Sequence, residues 1–332
     1  MINEIKYVIS EDFYPYHNLA LEEYLLHYVK PGQCILYLWQ NEKTVVIGRN
    51  QNAWKECKVS ELEEGGGRLV RRLSGGGAVF HDLGNLNFTF LVNKEDYDLD
   101  KQLSVILEAV RNLGMEAEKS GRNDITVDGR KFSGNAFYTE GNKCYHHGTI
   151  LVHVDMENLS RYLNVSKEKL SSKGVSSVKS RVINLSEYKN DLTIDKMKSE
   201  LIAAFGQVYN AIPVQMKEEE IDRDLIKTLS DKFSSNDYKY GKKFEMTYSF
   251  GKRFPWGGVD IALVAEAGRI KECMVYSDSM DIWLAEQLPN YLVGCPFHSK
   301  EMVKALLELK VEDEAHLSML EDIIDMILIE EI

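Results

Sequence analysis

The segment RRLSGGGAVFHDLGNLNF, residues 71–88, sets two arginines before three consecutive glycines and follows them with an aromatic residue, a histidine and an aspartate. RLVRR leads into it, and Leu86 to Leu91 alternates as a half-buried strand does, so SGGG reads as a loop between strands. Three glycines in such a loop cost conformational entropy, which implies positive φ angles or the close approach of something bulky to bare backbone. Free amides of such a loop form an anion-binding concavity, and Arg71 or Arg72 would add a fork matched to phosphate or carboxylate. A plain glycine-rich turn is the alternative reading. No Gly-Lys-Ser/Thr follows and position 80 is phenylalanine, which excludes a P-loop and the G-x-G-x-x-G spacing.

Outward from the loop, ILYLW (35–39) and TVVIG (44–48) are β-rich and separated by Gln40-Asn41-Glu42-Lys43, which predicts a hairpin. Upstream, Asn18 is placed to cap a helix through LALEEYLLHYV that buries Leu19, Ala20, Leu25 and Leu26. Downstream, Asp100 begins an amphipathic helix carrying Leu103, Ile106, Leu107, Val110 and Leu113, with Gly114 at its C′ position. Asp128-Gly129 joins 124–127 to 130–138 as a type I′ hairpin, and Glu140-Gly141-Asn142 launches a strand over 143–153. Helices are expected at 156–163, through DKMKSELIAAFGQVYNA, and as a solvated element in KEEEIDRDLIKTLSDKF. The polar stretch 234–243 marks a boundary, after which a hairpin turns at 266–269 and helices follow near 283–292, 299–309 and 313–326.

A chain of 332 residues suits one large domain and one small one. Its longest uncharged apolar runs, such as 34–39, fall far short of a bilayer span, and MINEIKYVIS lacks the pattern of a signal peptide. Five scattered cysteines without a CxxC pair argue against a disulfide framework or structural zinc, so a reducing cytoplasm is the expected setting. Forty basic against 52 acidic residues give a net charge of −12, which disfavours nucleic acid as a partner.

In GRNDITVDGRKFSGNAF (121–137), Asn123 and Asp124 open one hairpin arm and Lys131 lies just past the turn on the other. With Phe132 packed inward, Lys131 would project over the opposite face, and Ser133-Gly134 beside it again permits close approach. An exposed hairpin lysine is the plain alternative. His146 and His147 are neighbours on a strand, so their rings diverge and cannot share a metal, and HExxH is absent. Cys144 is either a thiol nucleophile near a histidine base or a strand residue filling apolar space.

Taken in order, TVVIGRNQNAWKEC (44–57), RRLSGGGAVFHDLGNLNFTF (71–90), GRNDI (121–125), GRKFSGNAF (129–137), HHGTIL (146–151), SSKGVSSVKSRVINL (171–185) and FPWGGVD (254–260) resemble the two-domain bacterial lipoate–protein ligases, over nearly the whole chain. The resemblance implies an α+β, mixed α/β fold. A catalytic domain over 1–241, as in the biotin and lipoate ligase family, would have mainly antiparallel sheets flanked by helices, and a small α+β accessory domain would cover 245–332. It implies ATP-dependent conversion of lipoate to lipoyl-AMP and pyrophosphate, then transfer to a lysine of a lipoyl domain or of the glycine-cleavage H protein. Arg72, Ser74, Gly75, Gly76, Gly77, Ala78, Val79, Phe80 and Lys131 would then hold the nucleotide, and Lys131 would be catalytic. Asp124 would contact Mg²⁺, and Arg49, His81, Lys131, His147 and Gly148 would line the lipoate side.

The lysines of KEKLSSKGVSSVKSR (167–181) are placed to steer an acidic acceptor. Three rivals remain at this stage. An ATP-independent acyltransferase would use Cys144, a biotin ligase would need the absent G-R-G-R-x-G loop, and a silent lipoate-binding protein would not need Arg72, Asp124 and Lys131 together.

Overall fold

The structure, a computed structural model, describes residues 2–121, 123–164, 182–217, 220–241 and 244–332. The basic stretch 167–181 and Arg122 of GRND lie outside the described residues. The chain forms two compact units, one of Met1–Val46, Glu56–Arg71 and Ala78–Lys239, the other of Ile47–Lys55, Arg72–Gly77 and Tyr240–Ile332. SGGG therefore clusters with the second unit.

The first unit is built on an eight-stranded mixed sheet. In chain order its strands, and those of the second sheet, are β1 (Glu4–Ile9), β2 (Gln33–Trp39), β3 (Thr44–Ile47), β4 (Arg68–Arg71), β5 (Val79–His81), β6 (Asn85–Asn93), β7 (Ala117–Ser120), β8 (Asp124–Val127), β9 (Arg130–Glu140), β10 (Lys143–Leu151) and β11 (Val214–Gln215). The large sheet runs β11-β1-β2-β6-β10-β9-β8-β7, parallel only around β1. The small sheet runs β4-β3-β5.

The expected hairpin of 35–39 with 44–48 does not form. β2 pairs with β1 and β6, whereas β3 belongs to the small sheet. The connector changes sheets because Gln40 and Asn41 are buried and carry bonds of their own: the Gln40 amide donates to Leu83 O, and Asn41 takes a bond from Asn18. β6 is buried along its whole length rather than half-buried, since helices cover both faces of the sheet. Leu36, Phe88, Phe90 and Cys144 join one core with helices Leu99–Asn112 and Ile194–Tyr209, through Leu103, Ile106, Met197, Leu201 and Phe205. Thr89 and His147 belong to the opposite face, towards helix Pro15–Tyr28.

That helix corrects a second expectation. It starts at Pro15, whose fixed φ suits the first helical position, and Asn18 lies inside it, fully buried. The Asn18 side chain accepts from Ser10 Oγ (2.7 Å) and Tyr37 Oη (3.1 Å) and donates to Gln40 O (2.8 Å) and Asp12 O (2.9 Å). It is a polar hub tying helix, β1 and β2 together, and capping is not its role. The Asp128-Gly129 turn forms as expected, with φ of 49° and 72°. Arg223–Ser234 is a helix that packs on Pro15–Tyr28 through buried Ile226 and Phe233, so it is only partly solvated.

The second unit contains an antiparallel sheet of β12 (Tyr248–Phe254), β13 (Gly257–Glu266) and β14 (Arg269–Ser277) under helices Trp283–Leu292, Ser299–Leu306 and Glu314–Ile329. Its β13–β14 turn places Ala267 and Gly268 at φ of 48° and 72°. β12 was not anticipated, because YSFGKRF mixes aromatic and basic residues without clear alternation.

Replacing Asn18 by leucine strands several buried partners, so the unfolding free energy is expected to fall by about 3 kcal/mol in denaturant titration. A loss under about 1 kcal/mol would mean the hub is dispensable.

Candidate functional site

The Asp128-Gly129 turn folds β8 and β9 onto each other and brings Lys131 Nζ within 2.7 Å of Asp124 Oδ1, with both side chains about one-third exposed, 36% and 37%. Next to Lys131 the register shifts: Thr126 faces Lys131 but Ile125 faces Ser133. A bulge of this kind re-aims side chains, and strict alternation therefore does not govern this stretch. Phe132 is fully buried. A Cβ on Gly134 would lie 2.9 Å from Lys131 Nζ, so the bare backbone there gives the ammonium its room.

On the sheet face towards helix Pro15–Tyr28, His147 Nδ1 lies 2.8 Å from Glu22 Oε1. The carboxylate can only accept, so Nδ1 carries the proton. Thr89 Oγ1 donates to the same oxygen at 2.7 Å and itself accepts from Trp39 Nε1 at 3.1 Å. Glu22 is 1% exposed. Sequence reasoning missed this acid, although a signal was present: Glu22 stands three residues after Leu19 and three before Leu25, inside the apolar stripe. Gly148 leaves no room for a side chain, since a Cβ would meet Gly134 O and Phe88 Cζ at 2.6 Å each. His81 is buried on β5, its Nδ1 accepting from Asn41 Nδ2 at 3.3 Å and its ring edge-on to Trp39. Phe80 stacks on Tyr162, and Ala78 and Val79 are half-buried where β5 begins.

The glycine loop lies in the second unit. Arg72 is 6% exposed, and its guanidinium donates to Gly75 O (2.6 Å), Gly77 O (2.9 Å) and Ser74 Oγ (3.0 Å), which shapes the loop from within. What comes close to the bare backbone is the chain itself. A Cβ on Gly75 would lie 2.4 Å from Ser279 O and 2.5 Å from Met280 O, and one on Gly76 would lie 2.9 Å from Met280 Sδ. Gly76 N–H donates to Ser279 O at 2.8 Å, with φ of 92° at Gly76. Beside the loop, Arg49 Nε donates to Glu286 Oε1 at 2.6 Å, and Asn50 O accepts from Ser277 N. Arg49, Arg72 and Ser74–Gly77 thus group with the second unit, and Lys131, Asp124, His81, His147 and Gly148 with the first.

Cys144 is buried at 3% exposure, its Sγ directed at Val92 O, and burial pushes the thiol up to about 11. A thiol of that kind is a poor nucleophile. Among the described residues no three His, Cys, Asp or Glu converge to cage a metal. Asp124 offers a partly exposed carboxylate beside the lysine, which fits an ion held by one carboxylate and by phosphate oxygens.

The profile of the lipoyl protein ligase A/B catalytic domain matches residues 14–206, and that of the bacterial lipoate protein ligase C-terminus matches 243–327. The chain belongs to the lipoate–protein ligase family. Lipoate-protein ligase A of Psychrobacter cryohalolentis is 38% identical over 299 residues, 88% of each chain. That of Blochmanniella pennsylvanica is also 38% identical, over 90% of this chain and 91% of its own. Among solved structures of the family, P. falciparum LipL1 in complex with lipoate superposes with a TM-score of 0.84 at 29% identity, covering 98% of this chain and 99% of that one. A lipoate-protein ligase A bound with ATP superposes with a TM-score of 0.62 at 26% identity, over 73% of this chain and 99% of that one.

Gly75→Ala would drive a methyl group into the 279–280 carbonyls. Amide hydrogen exchange at Gly76 is expected to quicken by about tenfold as that contact opens, in line with the usual cost of overpacking. Unchanged protection at Gly76 would contradict the packing described.

Proposed function

We propose that this chain is an ATP-dependent lipoate–protein ligase. Lipoate's carboxylate attacks the α-phosphorus of ATP, the bond to the bridging oxygen breaks, and pyrophosphate leaves lipoyl-AMP. The amine of an acceptor lysine then attacks the acyl carbon, AMP departs, and an amide remains. Lipoyl domains and the glycine-cleavage H protein are the acceptors we infer, and the cytoplasm is the setting. We assign the catalytic role to residues 1–241 and the accessory role to 245–332.

The observation that carries this reading is the Lys131 ammonium, partly exposed and held beside Asp124 over a backbone kept bare at Gly134. Bringing a carboxylate to a phosphate collects negative charge, and a preorganised cation there lowers the barrier. Lys131 supplies that cation and afterwards polarises the acyl carbonyl. Arg72, Ser74, Gly75, Gly76, Gly77, Ala78, Val79 and Phe80 hold the nucleotide, which requires the Ser279–Met280 carbonyls to give way to phosphate at Gly75 and Gly76. Asp124 would hold Mg²⁺, which supplies charge neutralisation on the phosphates. To the lipoate side we assign His147, which Glu22 fixes, Gly148, His81 and Arg49. The depth of Cys144 disfavours the thiol-dependent transferase.

Lipoate-dependent exchange of labelled pyrophosphate into ATP tests the proposal. We expect exchange in the parent chain, a fall of about 10²–10³ for Lys131→Ala and a rate within threefold of parent for Cys144→Ser. No exchange in the parent, or full exchange in Lys131→Ala, would refute it.

A further inference from the structure

Asp124 is the first residue of β8, so its position depends on whatever holds Asn123 just before it. That hold comes from β9. Asn135 donates to Asn123 O twice, from its main-chain N–H at 2.9 Å and from its Nδ2 at 3.0 Å, and Asn123 Nδ2 returns a bond to Asn135 O at 3.3 Å. In the same ladder Asp124 faces Gly134. The remaining end of the Asn135 amide, Oδ1, lies 2.8 Å from His146 Nε2.

We propose that Asn135 and His146 are positioning residues: the buried His146–Asn135–Asn123 hydrogen-bond chain holds the strand start from which Asp124 meets Lys131. The proposal rests on the adenylating role assigned to that pair. His146 and Asn135 touch no reacting group themselves.

The chemistry of the chain allows only one arrangement. Asn123 O accepts, so the Asn135 amide must present Nδ2 to it and Oδ1 to the histidine, and Nε2 must carry the imidazole proton. His146 is fully buried, edge-on to Phe88 and stacked near Phe90 and Phe137 at 5.9 and 5.1 Å. Burial in that aromatic setting pushes its pKa down to about 3, and Nδ1 has no hydrogen-bond partner among the described residues. Both facts fit a neutral ring with its single proton on Nε2. A permanently neutral donor on a rigid core strand is a fixed point against which the Asn135 amide is oriented. Asn135, 4% exposed, passes that orientation to a strand start whose Asp124 is partly open to solvent. Partners one step removed from a site commonly alter its metal affinity or activity by 10–100-fold when lost.

Two substitutions at one position separate positioning from packing. His146→Phe keeps an aromatic ring and loses the donor, whereas His146→Gln restores an N–H where Nε2 stands. In the ligand-free chain we expect His146→Phe to quicken amide exchange at Asn135 by about tenfold, with Ile150 unaffected. In pyrophosphate exchange we expect about a tenfold lower kcat and a several-fold higher half-saturating Mg²⁺ concentration, an unchanged lipoate affinity without ATP, and recovery of most of the loss in His146→Gln. Equal losses in both variants, or kcat and Mg²⁺ dependence within twofold of parent in His146→Phe, would overturn the proposal. A parent chain with no lipoate-dependent exchange would instead sink the functional reading and with it the catalytic half of this one, leaving the Asn135 amide to decide the hydrogen-bond chain alone.

Discussion

The proposed reaction turns on where one ammonium group is kept. Lys131 and Asp124 form an ion pair open to solvent, the kind that contributes little to stability. What the pair supplies is placement: a cation held at one point, on two strands closed by a tight turn, beside a glycine that leaves space above the backbone. A lysine on a free hairpin tip would sweep a wide volume and bring no such preorganisation.

The large sheet makes that placement possible by serving two neighbourhoods at once. β10 sends His146 to the core face and His147 to the opposite one, so neighbouring imidazoles bond to different acceptors, Asn135 and Glu22. Buried polar chains of this kind fix one geometry through the bonds they make, here at the cost of leaving His146 Nδ1 without a partner among the described residues. The glycine loop obeys a separate constraint. Its lack of side chains accommodates Ser279 and Met280 in this structure, so the same bareness that suits a phosphate also admits the chain's own carbonyls. A nucleotide would have to compete with a hydrogen bond already made by Gly76.

Much of this was legible in the residues. Asp128-Gly129 names its turn because few residues tolerate two successive positive φ angles, and the 99–112 and 194–209 helices follow from apolar spacing. Lys131 stood out because the small residues beside it permit close approach, and Asp124 through the resemblance of GRNDI to the family; the ladder itself sets Lys131 against Thr126 and Asp124 against Gly134. Three of the failures share one cause, buried polar side chains. Asn18 looked like a cap because asparagine usually is one, and Gln40-Asn41 looked like a turn because such residues usually meet water. Glu22 was invisible for the same reason, since local pattern cannot say that Thr89 and His147, far along the chain, will satisfy it. Tertiary hydrogen bonding overrode local preference at each of these positions.

Activation of a carboxylate at phosphorus beside Lys131 leaves a mark that oxygen labelling can read. Lipoate carrying ¹⁸O in its carboxyl group should be ligated to a lipoyl domain in the presence of ATP and Mg²⁺ and the released AMP examined by mass spectrometry. One ¹⁸O is expected in the AMP phosphate for each amide formed. AMP free of label while the acceptor becomes lipoylated would contradict it.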